Sequence, residues 1–218
     1  MNRKKIFNNV QDIFRDVFDE DTLNISDKSS SDDIEEWDSL NHINLVSAIE
    51  KEFNIKFSLT ELISLKNVGA MIDLMILKIW LSIMNQYIFS EVKIGLEESF
   101  SVTVDSSKLD YFLDISSDIN PLHTDDSYAR SKGFDNRVVY GMLTASFYST
   151  LVGVFLPGKF CILQGIDIQF NKPVYIGDHL TISGMVTYIN DAYKQLEIKA
   201  SIINQDDKKV SKALIKVG

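Results

Sequence analysis

Along residues 1 to about 79 apolar side chains recur every three or four positions, the spacing of one buried helical face. Ile6, Val10, Ile13, Phe14 and Val17 predict a first helix. Leu40, Ile43, Leu45, Val46, Ile49 and Phe53 predict a second, and Val68, Met71, Ile72, Met75 and Ile76 a later one, with NISDKSSSDDIEEW as a polar loop after the first. From about residue 90 the pattern changes: all three prolines and nine of the ten glycines lie here, among β-branched alternation. SFSVTV reads as a strand, SSKLDYFLDISS as a short helix and residues 138 to 156 as one long apolar helix. Four strand-like runs follow, near 160–171, 179–189, 193–204 and 208–217, divided by turn sequences. A helix with so few charges is expected to be buried, and an antiparallel sheet wrapped around it buries it most economically. The expected organisation is an all-α bundle over 1–79, a helical junction over 80–89 and an α+β domain over 90–218.

Charge narrows the partners. The chain has a net charge of −9, and residues 1–79 hold fifteen acids against nine Lys and Arg. Without clustered cations there is little counterion release to drive binding to a polyanion, so nucleic acid is excluded. The single Cys161 forms no internal disulfide and, between apolar neighbours, reads as a buried thiol; together with an N-terminus lacking an export signal this points to the cytoplasm. Residues 70–89 are apolar enough to suggest a membrane span, but Asp73, Lys78, Asn85 and Gln86 interrupt them, so a packed helix is expected. Three histidines without ligand spacing predict no metal site.

Ser39 stands at the start of the second predicted helix. By itself it reads as an N-cap, accepting a hydrogen bond from an orphan amide of the first turn, or as a functional serine. The acidic approach SDDIEEW, then Asp38-Ser39-Leu40, then LVSAIEKEFNIKFS and NVGAMIDLMI together resemble an acyl carrier protein over nearly all of residues 1–79. The resemblance implies a four-helix bundle whose Ser39 carries covalent 4′-phosphopantetheine, attached by a phosphopantetheinyl transferase, with acyl-loading and acyl-accepting enzymes as further partners. A helix start suits a phosphodiester, and the transferase brings its own chemistry. His42, one turn on, is given no role.

The stretch SSDINPLHTDDSYA poses a second question. Asp118, Asn120, Pro121 and His123 read either as an ordinary turn or as an acid–base pair in a rigid loop. With VVYGML at the start of the long helix and PVYIGD between strands, the chain from about residue 90 to its end resembles the MaoC-like, R-specific enoyl thioester hydratase/dehydratase family of hot-dog fold. Ser117 stands where that family often has Gly, and Tyr140 where a His is common. The resemblance implies reversible syn addition of water to a 2-enoyl thioester, giving an (R)-3-hydroxyacyl thioester. Asp118 would activate the water, His123 hold it and relay the proton, and the Gly141 amide stabilise the enolate oxygen. Asn120 and Pro121 would shape the loop and Ser149 support the pocket. A homodimer through the second domain is also implied. Two rival readings remain at this stage: a carrier with a silent hot-dog scaffold, and a thioesterase.

Overall fold

The computed structural model describes residues 3–218, which form two compact units divided between Ile83 and Met84. The first unit is helical. Its elements are α1 (Arg3–Phe18), α2 (Ser39–Phe53), α3 (Leu59–Ser64) and α4 (Val68–Ile83), so the last helix runs into the segment expected to be a junction. Ile6, Val10 and Phe14 of α1 meet Leu45 and Ile49 of α2 and Met71, Ile72 and Met75 of α4, all buried. Burying such side chains contributes roughly 1.5–3 kcal/mol each, which compensates the ordering of a small bundle.

The long loop between α1 and α2 is tied to the start of α4. Val68 and Gly69 donate backbone N–H groups to the carbonyls of Ser29 and Asp27 at 2.9 Å. A Cβ at Gly69 would lie 2.9 Å from the Asp27 oxygen, so this close approach requires glycine. Helix α3 begins with a reciprocal cap: Ser58 Oγ accepts from the Glu61 amide, and Glu61 accepts from the Ser58 amide at 2.6 Å. Lys78 of α4 adds an ion pair to Glu61 at 2.9 Å.

The second unit is a five-stranded antiparallel sheet with a helix against its inner face. Its strands are β1 (Glu97–Thr103), β2 (Leu163–Phe170), β3 (His179–Asn190), β4 (Gln195–Ile203) and β5 (Lys209–Val217), in the order β1-β3-β4-β5-β2. Alternate residues point inward and are buried, among them Leu180, Ile182 and Val186 of β3 and Ile198, Ala200 and Ile202 of β4. Between β1 and β2 lie α5 (Ser106–Ser116), α6 (Pro121–Thr124), α7 (Asp126–Ser131) and α8 (Gly141–Thr150). A π-helical turn, Leu151–Phe155, continues α8. Gly184 lets that turn pack on the sheet, since a Cβ there would stand 2.7 Å from Leu151 Cδ2.

Three expectations need correction. The long helix does not begin at residue 138: Val138 and Val139 spend their N–H groups on the carbonyls of Leu122 and Val174, and the chain turns helical only at Gly141. Nor is α8 buried on every side, for Met142, Ser146 and Ser149 are exposed while Leu143, Thr144, Ala145 and Tyr148 face the core. Cys161 is half-buried rather than enclosed, its thiol donating to the Val152 carbonyl at 3.1 Å and its pKa pushed up by burial.

The α3 cap predicts an acid-sensitive bundle. The Ser58 backbone N–H, then Lys78 and the Ser58 hydroxyl, lower the Glu61 pKa from 4.5 to about 2. Its contribution is therefore complete above pH 4.5 and lost as the pH falls toward 2. Thermal melts of the first unit's helical signal at pH 7 and pH 3 should show a smaller pH-dependent drop in Tm for Glu61→Gln than for the wild type; equal drops would contradict this role.

Candidate functional site

Ser39 is the first residue of α2 and not its cap. Asp38 takes the N-cap position in extended conformation, its Oδ1 accepting from the Asn41 amide at 2.8 Å. Because Asp38 holds the extended backbone of the cap position and meets the first-turn amide, the serine is left free of that duty. The Ser39 side chain is exposed and has no hydrogen-bond partner among the described residues. Leu40 and Ile43 beside it are 66% and 62% exposed, which gives the serine an apolar flank that the bundle does not use. His42, left without a role in the sequence, is engaged: it accepts a hydrogen bond at Nδ1 from the Trp37 indole at 3.1 Å.

The second cluster assembles where the α5–α6 connection meets the segment before α8. Ser117 ends α5 in left-handed conformation, with φ of 55°, which explains why a glycine suits this position. Asp118 follows, exposed, with Oδ1 accepting from the Asn120 amide at 3.1 Å. Asn120 caps α6 by accepting from the Leu122 amide at 3.0 Å, and Pro121 is its first residue, so the expected turn is in fact a capped helical turn. This geometry sets His123 on the far side of α6, where Nδ1 lies 2.7 Å from the Val138 carbonyl. A carbonyl only accepts, so the Nδ1 position bears the proton and the neutral ring keeps its lone pair on Nε2.

Tyr140 joins the parts. Its hydroxyl donates to the Asp118 carbonyl at 2.9 Å, and its ring sits 4.2 Å from that of His123 and 5.0 Å from that of Phe112. Burial first, and the Asp118 charge second, raise its pKa. Sequence reasoning noted Tyr140 only as a departure from a family pattern; its place between the two polar residues was not visible there. Gly141, next in the chain, opens α8 with no side-chain cap, so its N–H belongs to the orphan donors of a helix start. The Phe170 ring lies against it: a Cβ would be 3.3 Å from Cζ.

His123 and Gly141 line one cleft of about 380 Å³, together with Phe134, Val138, Val139, Thr144, Phe170, Pro173 and Val174. Its wall is apolar with few polar groups, as small-molecule sites are. Neither the Asp118 side chain nor Ser149, which stands exposed on α8, is among the lining residues in a single chain. Helical periodicity explains the exposure of Ser149: Tyr148 takes the inward position at this turn and turns its neighbour out. A cleft of equal volume, lined by Lys199, Lys209 and Lys212 among others, contains none of these groups. Among the described residues no cluster of three His, Cys, Asp or Glu is placed to hold a metal ion, and no helix is long and apolar enough to cross a membrane.

Comparison with known proteins matches both clusters. A family profile for a phosphopantetheine attachment site matches residues 8–75, and one for a MaoC like domain matches residues 90–206, over half of the chain. An exposed, unpartnered serine hydroxyl at a helix start fits the covalent 4′-phosphopantetheine that the first profile implies, and the transferase that attaches it is the partner implied with it. An (R)-specific enoyl-CoA hydratase of Rhodospirillum rubrum is 36% identical over 99 residues, covering 45% of this chain and 69% of the relative. A mitochondrial 3-hydroxyacyl-[acyl-carrier-protein] dehydratase of Arabidopsis thaliana is 39% identical over 75 residues, covering 34% and 44%. Among solved structures, the (R)-hydratase from A. caviae involved in PHA biosynthesis superposes with a TM-score of 0.56 at 30% identity, covering 58% of this chain and 96% of that one. The antiparallel sheet with α8 on its inner face is thus a hot-dog fold, and the chain belongs to the MaoC-like domain family, joined within one polypeptide to a phosphopantetheine attachment domain.

Proposed function

We propose that this protein carries an acyl group on an arm at Ser39 and reversibly hydrates it at the β-carbon, interconverting a 2-enoyl and an (R)-3-hydroxyacyl thioester. The observation that carries the reading is the cleft that His123 and Gly141 line together, with the backbone of Asp118 tied beside it through the Tyr140 hydroxyl and His123 fixed by the Val138 carbonyl. In the hydration direction the water oxygen bonds to the β-carbon while its proton passes to the Asp118–His123 pair. The double-bond electrons move onto the thioester oxygen, where the Gly141 N–H donates to the developing charge. The enolate then collapses as the pair returns the proton to the α-carbon on the face from which water came. Water is consumed, nothing is oxidised, and both proton carriers end as they began. His123 suits this part because its Nδ1–H is held by Val138, which leaves Nε2 free to accept.

The arm supplies a thioester on a tether, and covalent attachment raises the concentration of substrate available to the second unit. Short chains such as crotonyl and 3-hydroxybutyryl are the proposed substrates, in a specialised biosynthetic sequence within a reducing cytoplasm. Asp38 and Leu40 belong to the surface read by the transferase and by the enzymes that load and unload the arm.

A homodimer through the second unit completes the site in this reading. Strand β2 is an open sheet edge pairing only with β5, and it exposes Leu163, Ile166 and Phe170 next to the still barer Ile162. Apolar side chains along an unpaired edge favour a second copy, which would also cover the exposed Asp118 loop.

These proposals give three expected outcomes. With a free crotonyl thioester, Asp118→Asn and His123→Ala should each lower kcat/KM of hydration by about 10²–10⁴-fold; unchanged turnover would refute the assignment. Tyr140→Phe removes only the bond to the Asp118 carbonyl, worth about 1 kcal/mol, and should lower kcat about fivefold with KM little changed. Sedimentation of the wild type should give a dimer, and Ile166→Lys a monomer of reduced hydratase activity; a monomeric wild type with full activity would contradict the shared site.

A further inference from the structure

Trp37 and His42 stand on either side of Ser39 in sequence and touch each other in space. The Trp37 ring meets Phe14 edge-on, 5.1 Å between centroids, and lies 6.3 Å from Phe18, so its position is set by the core of the bundle. From there its Nε1–H reaches His42 Nδ1 at 3.1 Å, with the two rings nearly parallel. An indole nitrogen only donates, so His42 Nδ1 accepts and the neutral imidazole must carry its proton on Nε2. This is the opposite tautomer to that of His123, whose Nδ1 faces a carbonyl.

The remaining N–H has a definite neighbourhood. His42 lies three residues beyond Ser39 in α2, which puts both on one helix face with about 5–6 Å between Cβ atoms. Helical side chains lean toward the N-terminal turn, so the imidazole belongs to the surface around Ser39. Beside it is a recess of about 70 Å³ lined by Trp37, His42, Ser30, Ser31, Lys66 and Asn67, among others. Lys66 makes no ion pair among the described residues and adds a cation to a region whose sequence approach is acidic. A purely structural clip would be served by any aromatic pair; a tryptophan that fixes the tautomer presents one particular nitrogen.

We propose that His42 is a positioning residue for the phosphodiester joined to Ser39, donating from Nε2–H to a phosphate oxygen, and that Trp37 holds it in the tautomer able to do so. The proposal rests on the carrier reading of Ser39. It gives the chain a means of directing the root of the arm along α2 instead of leaving it free to swing, and the neutral ring suffices for it.

The test uses the full chain, converted with a phosphopantetheinyl transferase, and reads histidine ¹⁵N and phosphorus ³¹P NMR. His42 should be in the Nε2–H form before and after conversion, with the Nε2 proton moving downfield once the phosphodiester is present. His42→Ala should shift and sharpen the ³¹P line, and His42→Gln, whose amide also donates, should restore part of the wild-type position. Trp37→Phe keeps the ring contact with Phe14 but removes the indole donor; it should mix the His42 tautomers and move the ³¹P line toward that of His42→Ala. A ³¹P line identical in wild type and His42→Ala, with only Tm reduced, would overturn the proposal and leave a structural clip. Failure of intact-mass measurement to find any arm on the wild type would instead remove the carrier reading itself.

Discussion

The hydrogen bond from His123 Nδ1 to the Val138 carbonyl is the constraint on which the candidate hydratase site depends. It is half of a reciprocal pair, because the Val138 amide donates back to the carbonyl of Leu122. Together they fasten the α6 turn to the segment that delivers Gly141 to the start of α8. The same bond fixes the histidine tautomer, so position and protonation pattern come from one contact. Without it the loop would keep its bonds from Asn120 and Asp118 but lose its registration with the helix, and His123 and Gly141 would no longer line one cleft.

In the carrier unit a comparable division of labour lets a functional residue sit on a helix end. Asp38 satisfies the first turn of α2, which releases the Ser39 hydroxyl from a structural duty serines commonly take. The core beneath is held by α1 and α4, so an exposed serine flanked by bare Leu40 and Ile43 costs the bundle little. Leu45 and Ile49 on one side of α2 join the core, while Leu40 and Ile43 on the other stay exposed beside the serine.

Much of this was legible in the chain because it is carried by local pattern. Helical spacing located α1, α2 and α4, alternation located the five strands, and the Asp-Ser-Leu and Asp-x-Asn-Pro-Leu-His stretches marked the two chemical regions. What escaped is non-local or directional. Val138 and Val139 look like the first turn of an apolar helix, but their amides are taken by Leu122 and Val174, partners that periodicity cannot name. Ser149 sits in a run that reads as core, yet the phase of α8 turns it outward, and hydrophobicity alone carries no such phase. Tyr140 and the Trp37–His42 pair matter through single hydrogen bonds between positions apart in sequence. Ser39 and Asp38 exchanged roles because adjacent residues at a helix start compete for one cap, which only the backbone angles resolve.

The account's central claim is that one chain both carries the thioester and adds water to it. Intact-protein mass spectrometry after loading Ser39 with a crotonyl-phosphopantetheine arm tests this directly, since carrier and reaction are read on the same molecule. The account predicts that the loaded protein gains the mass of one water. An acyl group that stays unchanged would leave the hot-dog unit a scaffold, and loss of the acyl group as free acid would make it a thioesterase; either result would contradict the claim.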